Sequence, residues 1–240
     1  MKINALNVFR IMFLPLFVAS GGALFNPPAK AQGQELQERV AELKESMAKN
    51  KMSLAQYTWV EQINISLKGE LKKQEHFQVR LGPDGKPQKT SLDPPAEPPS
   101  GGRLKKHIVE KKKEEYKEYA EQMKVLAQQY IPPDKDMIQQ AYAQGNISII
   151  PGGGLPSEIK LVFHNYVKPQ DSMTLIFDKA QKQLLSLQIA SYMDDPKDAM
   201  TLTVEFNRLP DGTNHVSNVT MNGVSKQLNL ATQNSNYQHL

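Results

Sequence analysis

The chain has 240 residues, no cysteine and a formal net charge of +4. Lack of cysteine excludes a disulfide framework, thiol chemistry and a lipidated cysteine, so a core of apolar side chains must hold the fold. The basic excess sits in the first 31 residues, where Lys2, Arg10 and Lys30 stand without an acid; without these three cations the charge falls from +4 to +1, too close to neutral for the basic stripe of a nucleic-acid binder.

Those first residues run from a basic start through the apolar stretch 11–25 to Ala29-Lys30-Ala31. That order predicts a secretory signal cut between Ala31 and Gln32. A membrane span needs about 20 apolar residues; this stretch is shorter and is broken by Pro15, Gly21 and Gly22. The expectation is a signal at 1–31 and one exported domain at 32–240. No transmembrane segment is expected in the mature chain. The expected destination is the periplasm, with secretion as the alternative.

In the stretch opening with "GQELQERVAELKESMAKNK", Leu36, Val40, Leu43 and Met47 share one face of an amphipathic helix. From Gln56 the period changes to two. Tyr57, Trp59, Ile63, Ile65 and Leu67 fall on one face, with Glu61 as the exception; Phe77, Val79 and Leu81 share a face of the next strand. "PDGK" at residues 83–86 reads as a turn.

"DPPAEPPSGG" makes residues 93–103 an exposed loop. A helical insertion follows at 104–144. Its first helix carries the stripe Leu104, Ile108, Tyr116, Tyr119, Met123, Leu126 and Tyr130, with Lys112 expected to snorkel. Lys111–Glu115 and Lys117–Glu121 are expected i,i+4 pairs on its outer face. Pro132 and Pro133 stop it; Asp134 caps a shorter helix that Gly145 ends.

The remainder alternates strand after strand. "PGGGLP" lacks the lysine and the following helix of a phosphate loop. The inward rows are Ile159, Leu161 and Phe163; Met173, Leu175 and Phe177; Leu185, Leu187, Ile189 and Met193; then Met200, Leu202, Val204 and Phe206. "PDGT" at 210–213 repeats the earlier turn, and Asn222-Gly223 predicts the primed turn of the last hairpin.

Asp194, Asp195 and Asp198 crowd into "SYMDDPKDAMTL". Pro196 cannot continue a central strand, and aspartates bond turn amides. The spacing lacks the glycine and closing glutamate of a calcium loop. A turn is expected, with no metal. His76, His107, His164, His215 and His239 are scattered, and no zinc-type pair appears. No catalytic constellation is visible, and neither catalysis nor a cofactor is expected.

About nine one-faced strands and three amphipathic helices predict an α+β fold. A sheet that wide should curl into a half-open barrel with the helices on its concave face. The signal, the amphipathic helix, the paired strands "YTWVEQINISLKGELKKQEHFQVR", the central helices and the meander with "DSMTLIFDKAQKQLLSLQI" together resemble the periplasmic lipoprotein-carrier and lipoprotein-sorting superfamily. The resemblance is one of overall pattern and assigns no residue a role. It implies an unclosed barrel lidded by helices, holding acyl chains or lipidated proteins in its hollow. The cavity residues expected from the strand rows are Trp59, Ile63, Phe77, Val79, Leu161, Phe163, Leu175, Phe177, Leu187, Ile189, Leu202, Val204 and Phe206. The alternative is an envelope interaction module with a filled core, acting through its charged helix and loops.

Overall fold

Alternation with period two becomes ten strands: β1 (Tyr57–Leu67), β2 (Glu70–Leu81), β3 (Pro87–Ser91), β4 (Ile147–Pro151), β5 (Glu158–His164), β6 (Ser172–Asp178), β7 (Gln183–Tyr192), β8 (Ala199–Arg208), β9 (Asn214–Gly223) and β10 (Leu228–His239). Between β3 and β4 lie α1 (Arg103–Gln128) and α2 (Lys135–Ala143). A computed structural model describes residues 50–94, 103–131, 135–152, 154, 156–178, 180–181 and 183–240. A helical turn at residues 50–54 is among them. The expected signal with Ala31 and Gln32, the stripe Leu36, Val40, Leu43 and Met47, and most of the proline-rich loop lie outside the described residues.

The strands form one antiparallel, unclosed sheet in the order β3-β2-β1-β10-β9-β8-β7-β6-β5-β4. Tight turns make most of these neighbours. Lys68 (φ 54°) and Gly69 (φ 79°) form a two-residue hairpin turn whose positive φ values match strand twist. Pairing of β1 with β10 joins the two ends of the described chain, from Tyr57↔His239 to Leu67↔Leu228. That pairing makes β3 and β4 the opposite edges, so the helical connection has to cross from one edge to the other. At 1.5 Å per residue the 26 residues of α1 span about 39 Å, close to the roughly 43 Å of ten strands laid side by side.

Helix α1 lies on the apolar face. Its buried residues Tyr119, Ala120, Met123, Leu126 and Ala127 keep helical spacing and, with Tyr130 in the turn just past its end, join the same core as Trp59, Met173 and Met200. The first part is different: residues 110–115 are exposed on every side. Lys112 therefore does not snorkel. The expected i,i+4 pairs give way to i,i+3 contacts, Lys117–Glu114 at 3.1 Å and Lys124–Glu121 at 3.2 Å.

Three further expectations are corrected. There are ten strands rather than nine, because polar "PQKTS" pairs with β2 as the edge strand β3. Asn222-Gly223 is strand, not turn; the reversal falls at 224–227 with Gln227 at φ 46°. Leu184 rather than Leu185 enters the core. The β6–β7 register slips between Ile176↔Ser186 and Phe177↔Leu184, and the resulting bulge turns Leu185 away.

Candidate functional site

The apolar face begins with short rows of side chains, one from each strand. Trp59 and Ile63 on β1, Phe77 and Val79 on β2, and Leu161 and Phe163 on β5 are all buried in one cluster. Leu175, Leu187, Ile189, Leu202 and Val204 continue that cluster across β6, β7 and β8. Register brings them together: Phe163 pairs with Met173, Met173 with Ile189, and Ile189 with Leu202. Two expected residues depart from the pattern. Phe206 is only half-buried and packs against the cluster. Its strand has a register shift at that point, between Glu205 and Phe206. Phe177 is buried but stands outside the cluster, just past the β6–β7 bulge.

Two tyrosine–aspartate clasps hold α1 over this face. Tyr119 donates to Asp198 at 2.6 Å, and the same carboxylate oxygen accepts the Ser225 amide at 3.0 Å. Asp198 belongs to the β7–β8 turn. Nearby, Asp195 accepts the Lys197 amide at 2.8 Å, and the Asp198 amide bonds the Asp195 carbonyl at 2.8 Å. The aspartate cluster is thus a turn that also clasps a helix. Among the described residues no group of three His, Cys, Asp or Glu is placed to hold a metal ion.

The second clasp is deeper. Asp171, in the β5–β6 connection, accepts the amides of Tyr166 (2.6 Å), Val167 (3.0 Å) and Lys168 (2.7 Å). It also accepts the Tyr130 hydroxyl at 2.6 Å. Ser191 lies 2.7 Å from that hydroxyl. A phenol has one proton and a carboxylate can only accept, so Ser191 donates to Tyr130. Burial, reinforced by the carboxylate bonds, raises the pKa of both Tyr119 and Tyr130. Both phenols therefore remain neutral donors near neutral pH.

A polar row interrupts the apolar face at the β3 side. Glu61, facing inward between Trp59 and Ile63, forms an ion pair with Lys89 of β3, and both side chains are buried. The Lys89 ammonium lies 5.8 Å from the centre of the Phe77 ring. Asn234 is the β10 residue opposite Glu61. Beyond the Asn218↔Gln233 pair, β9 and β10 no longer pair. Across the gap the Val216 carbonyl accepts from Asn234 Nδ2 (3.0 Å) and from the Tyr237 hydroxyl (3.3 Å). The Tyr237 ring stacks on Trp59 at 5.5 Å and lies 4.2 Å from His215. Burial depresses the His215 pKa. Burial, followed by the Glu61 charge, raises that of Tyr237.

The remaining described histidines do not converge. His76 meets Asp93 at 2.9 Å, while His164 and His239 are exposed. The glycine-rich loop after β4 leads into strand β5, and Glu158 accepts the Gly154 amide at 3.0 Å. Sequence reading missed both clasps and the Glu61–Lys89 pair. One signal was available: a buried tyrosine hydroxyl requires a partner, and Tyr119 and Tyr130 stand on the apolar stripe. Among the described residues no helix is long and apolar enough to cross a membrane. No protein-family model, curated protein or solved structure matches the chain.

Proposed function

We propose that this is a non-catalytic, exported periplasmic protein that binds an apolar ligand beneath α1. The ligand is a lipid, an acyl chain or a lipidated protein, held on the concave side of a sheet curved into a half-barrel. The signal pattern and the resemblance to lipoprotein carriers support this reading. One observation carries it. A broad apolar face is covered by a helix that belongs to an edge-to-edge connection and shares no sheet hydrogen bonds. Among the described residues, the side-chain hydrogen bonds to the sheet and its turns from α1 and the turn that ends it are those of Tyr119 and Tyr130. Lifting α1 would break these few polar bonds and offer the apolar rows to a ligand. Burial of a chain there would contribute about 25 cal/mol per Å² before ordering costs.

The second reading is an interaction module with a filled core, and it also has its observation. Trp59, Val79, Met123, Tyr130, Met173 and Met200 have no exposed surface, so no water-sized void borders them. A ligand would have to displace side chains rather than enter an open hollow. In this reading the all-exposed stretch at residues 110–115 contacts a partner.

Native mass spectrometry of the protein purified from its own envelope, with lipid extraction alongside, separates the two. A stoichiometric apolar passenger that leaves on extraction is the result expected for the carrier. A bare mass, with no uptake of fatty acid or lipopeptide on addition, would leave the filled-core module.

A further inference from the structure

We infer that the face beneath α1 carries a headgroup site for a neutral, hydrogen-bonding amphiphile of the acylglycerol type, formed by Thr232 and Asn234 of β10. This rests on the reading that an apolar ligand occupies that face.

Thr232 points into the core: its neighbours in register are Ile63 on β1 and Val219 on β9, both buried. The residue is 4% exposed, and its hydroxyl finds no hydrogen-bond partner among the described residues. Two residues on, Asn234 faces the same side, opposite Glu61. Its Nδ2 is used by the Val216 carbonyl, but its Oδ1 is buried without a partner. Residues two apart on a strand stand about 7 Å from each other on one face. A donor–acceptor hydroxyl and an acceptor amide oxygen thus follow one another along β10, between the apolar rows and the Glu61–Lys89 pair.

Buried polar atoms without partners are few in native proteins because each forfeits its hydration. Valine has the shape of threonine and no such penalty. A threonine here is accounted for if the hydroxyl bonds something that enters the face. Beyond Gln233 the β9–β10 ladder ends and side-chain bonds to the Val216 carbonyl replace it, polar contacts that an entering polar end can exchange for its own.

The surrounding charges select its class. Glu61 is already neutralised by Lys89 in a buried pair. Burial keeps His215 and Tyr237 uncharged near neutral pH. A free carboxylate placed at Asn234 would face Glu61 with no unpaired cation among these groups. A cation would have to compete with Lys89. Two neighbouring hydroxyls of one diol suit both residues across this spacing: one O–H donates to Asn234 Oδ1 while the next oxygen accepts from Thr232. An acylglycerol supplies such hydroxyls next to an acyl chain that the apolar rows can cover.

The test compares 1-monooleoylglycerol with oleate, two probes with the same chain, by displacement of a fluorescent acyl probe from the purified protein. The glycerol ester should bind at least tenfold more tightly. Thr232→Val should abolish that preference while raising the melting temperature, since it removes an unpartnered buried hydroxyl. Thr232→Ser should restore the preference. Equal affinity for the two lipids, or an unchanged preference in Thr232→Val, overturns the headgroup site and leaves the apolar-ligand reading intact. Failure of both lipids to bind overturns that reading, and the headgroup site with it.

Discussion

The two clasps of α1 use the same chemistry with different depth. At Tyr130 the phenol has no exposed surface and the aspartate partner is 2% exposed. Three backbone amides and the phenol share the Asp171 carboxylate. At Tyr119 the partner Asp198 is only half-buried, in a turn, and accepts one backbone amide. Beyond Tyr119, towards its N-terminus, α1 reaches an all-exposed stretch at residues 110–115. The helix is therefore anchored firmly just past its C-terminal end and more lightly at Tyr119. The anchor also organises the β5–β6 connection, where Asn165 and Gln170 take positive φ and Asn165 accepts the Gln170 amide at 2.7 Å. Motion of α1, if it serves binding, is expected to pivot at Tyr130 and open at Tyr119.

Four substitutions or conditions sharpen this asymmetry. Tyr130→Phe removes a bond to a buried carboxylate and leaves Ser191 without its acceptor. It should cost about 1.5–3 kcal/mol in urea unfolding. A smaller loss than that of Tyr119→Phe would reverse the assignment of anchor and latch. Gly223→Ala places a Cβ against the Tyr119 ring and 2.7 Å from Met123 Sδ. It should cost about 1–3 kcal/mol through overpacking and speed amide exchange in α1 around Tyr119 more than around Tyr130. Uniform exchange along the helix would show that α1 moves as one rigid piece. Tyr119→Phe should cost roughly 1 kcal/mol or less, since Asp198 keeps the Ser225 amide and meets solvent.

A further effect is on pH dependence and shows only in alkali. Both phenols have pKa values above the ordinary 10.0, so the folded state holds their protons longer than the unfolded chain does. Their contribution is fully present below pH 10 and is lost as pH rises above it. Alkaline melting curves should fall above pH 10 in the native protein and flatten in Tyr130→Phe. An equal slope in the variant would mean that the Tyr130 proton is not held by the fold.

Much of the sheet was legible because burial on one face writes a period of two into each strand. "AMTLTVEFN" places Met200, Leu202 and Val204 inward as alternation requires. Edge strand β3 was not, since it pairs along one edge only, buries no apolar row, and its inward residue is Lys89. Gly223 was misread as a turn because its function is spatial: it leaves room for Tyr119, which lies more than a hundred residues earlier in the chain. Clasps belong to the same class of failure. Tyr119 and Asp198 are 79 residues apart, Tyr130 and Asp171 are 41, and no local pattern links them. Glu61 was visible as the exception in its row, but its partner stood in the strand that alternation did not reveal.

The most direct measurement is uptake of a fluorescent acyl probe with α1 free and with α1 fixed. No native cysteine competes, so Tyr119→Cys and Asp198→Cys can be joined by a short bis-maleimide. Binding beneath α1 predicts uptake before cross-linking and at least a tenfold loss of uptake rate after it. Unchanged uptake in the cross-linked protein, or none in the free one, would contradict a ligand site under this helix.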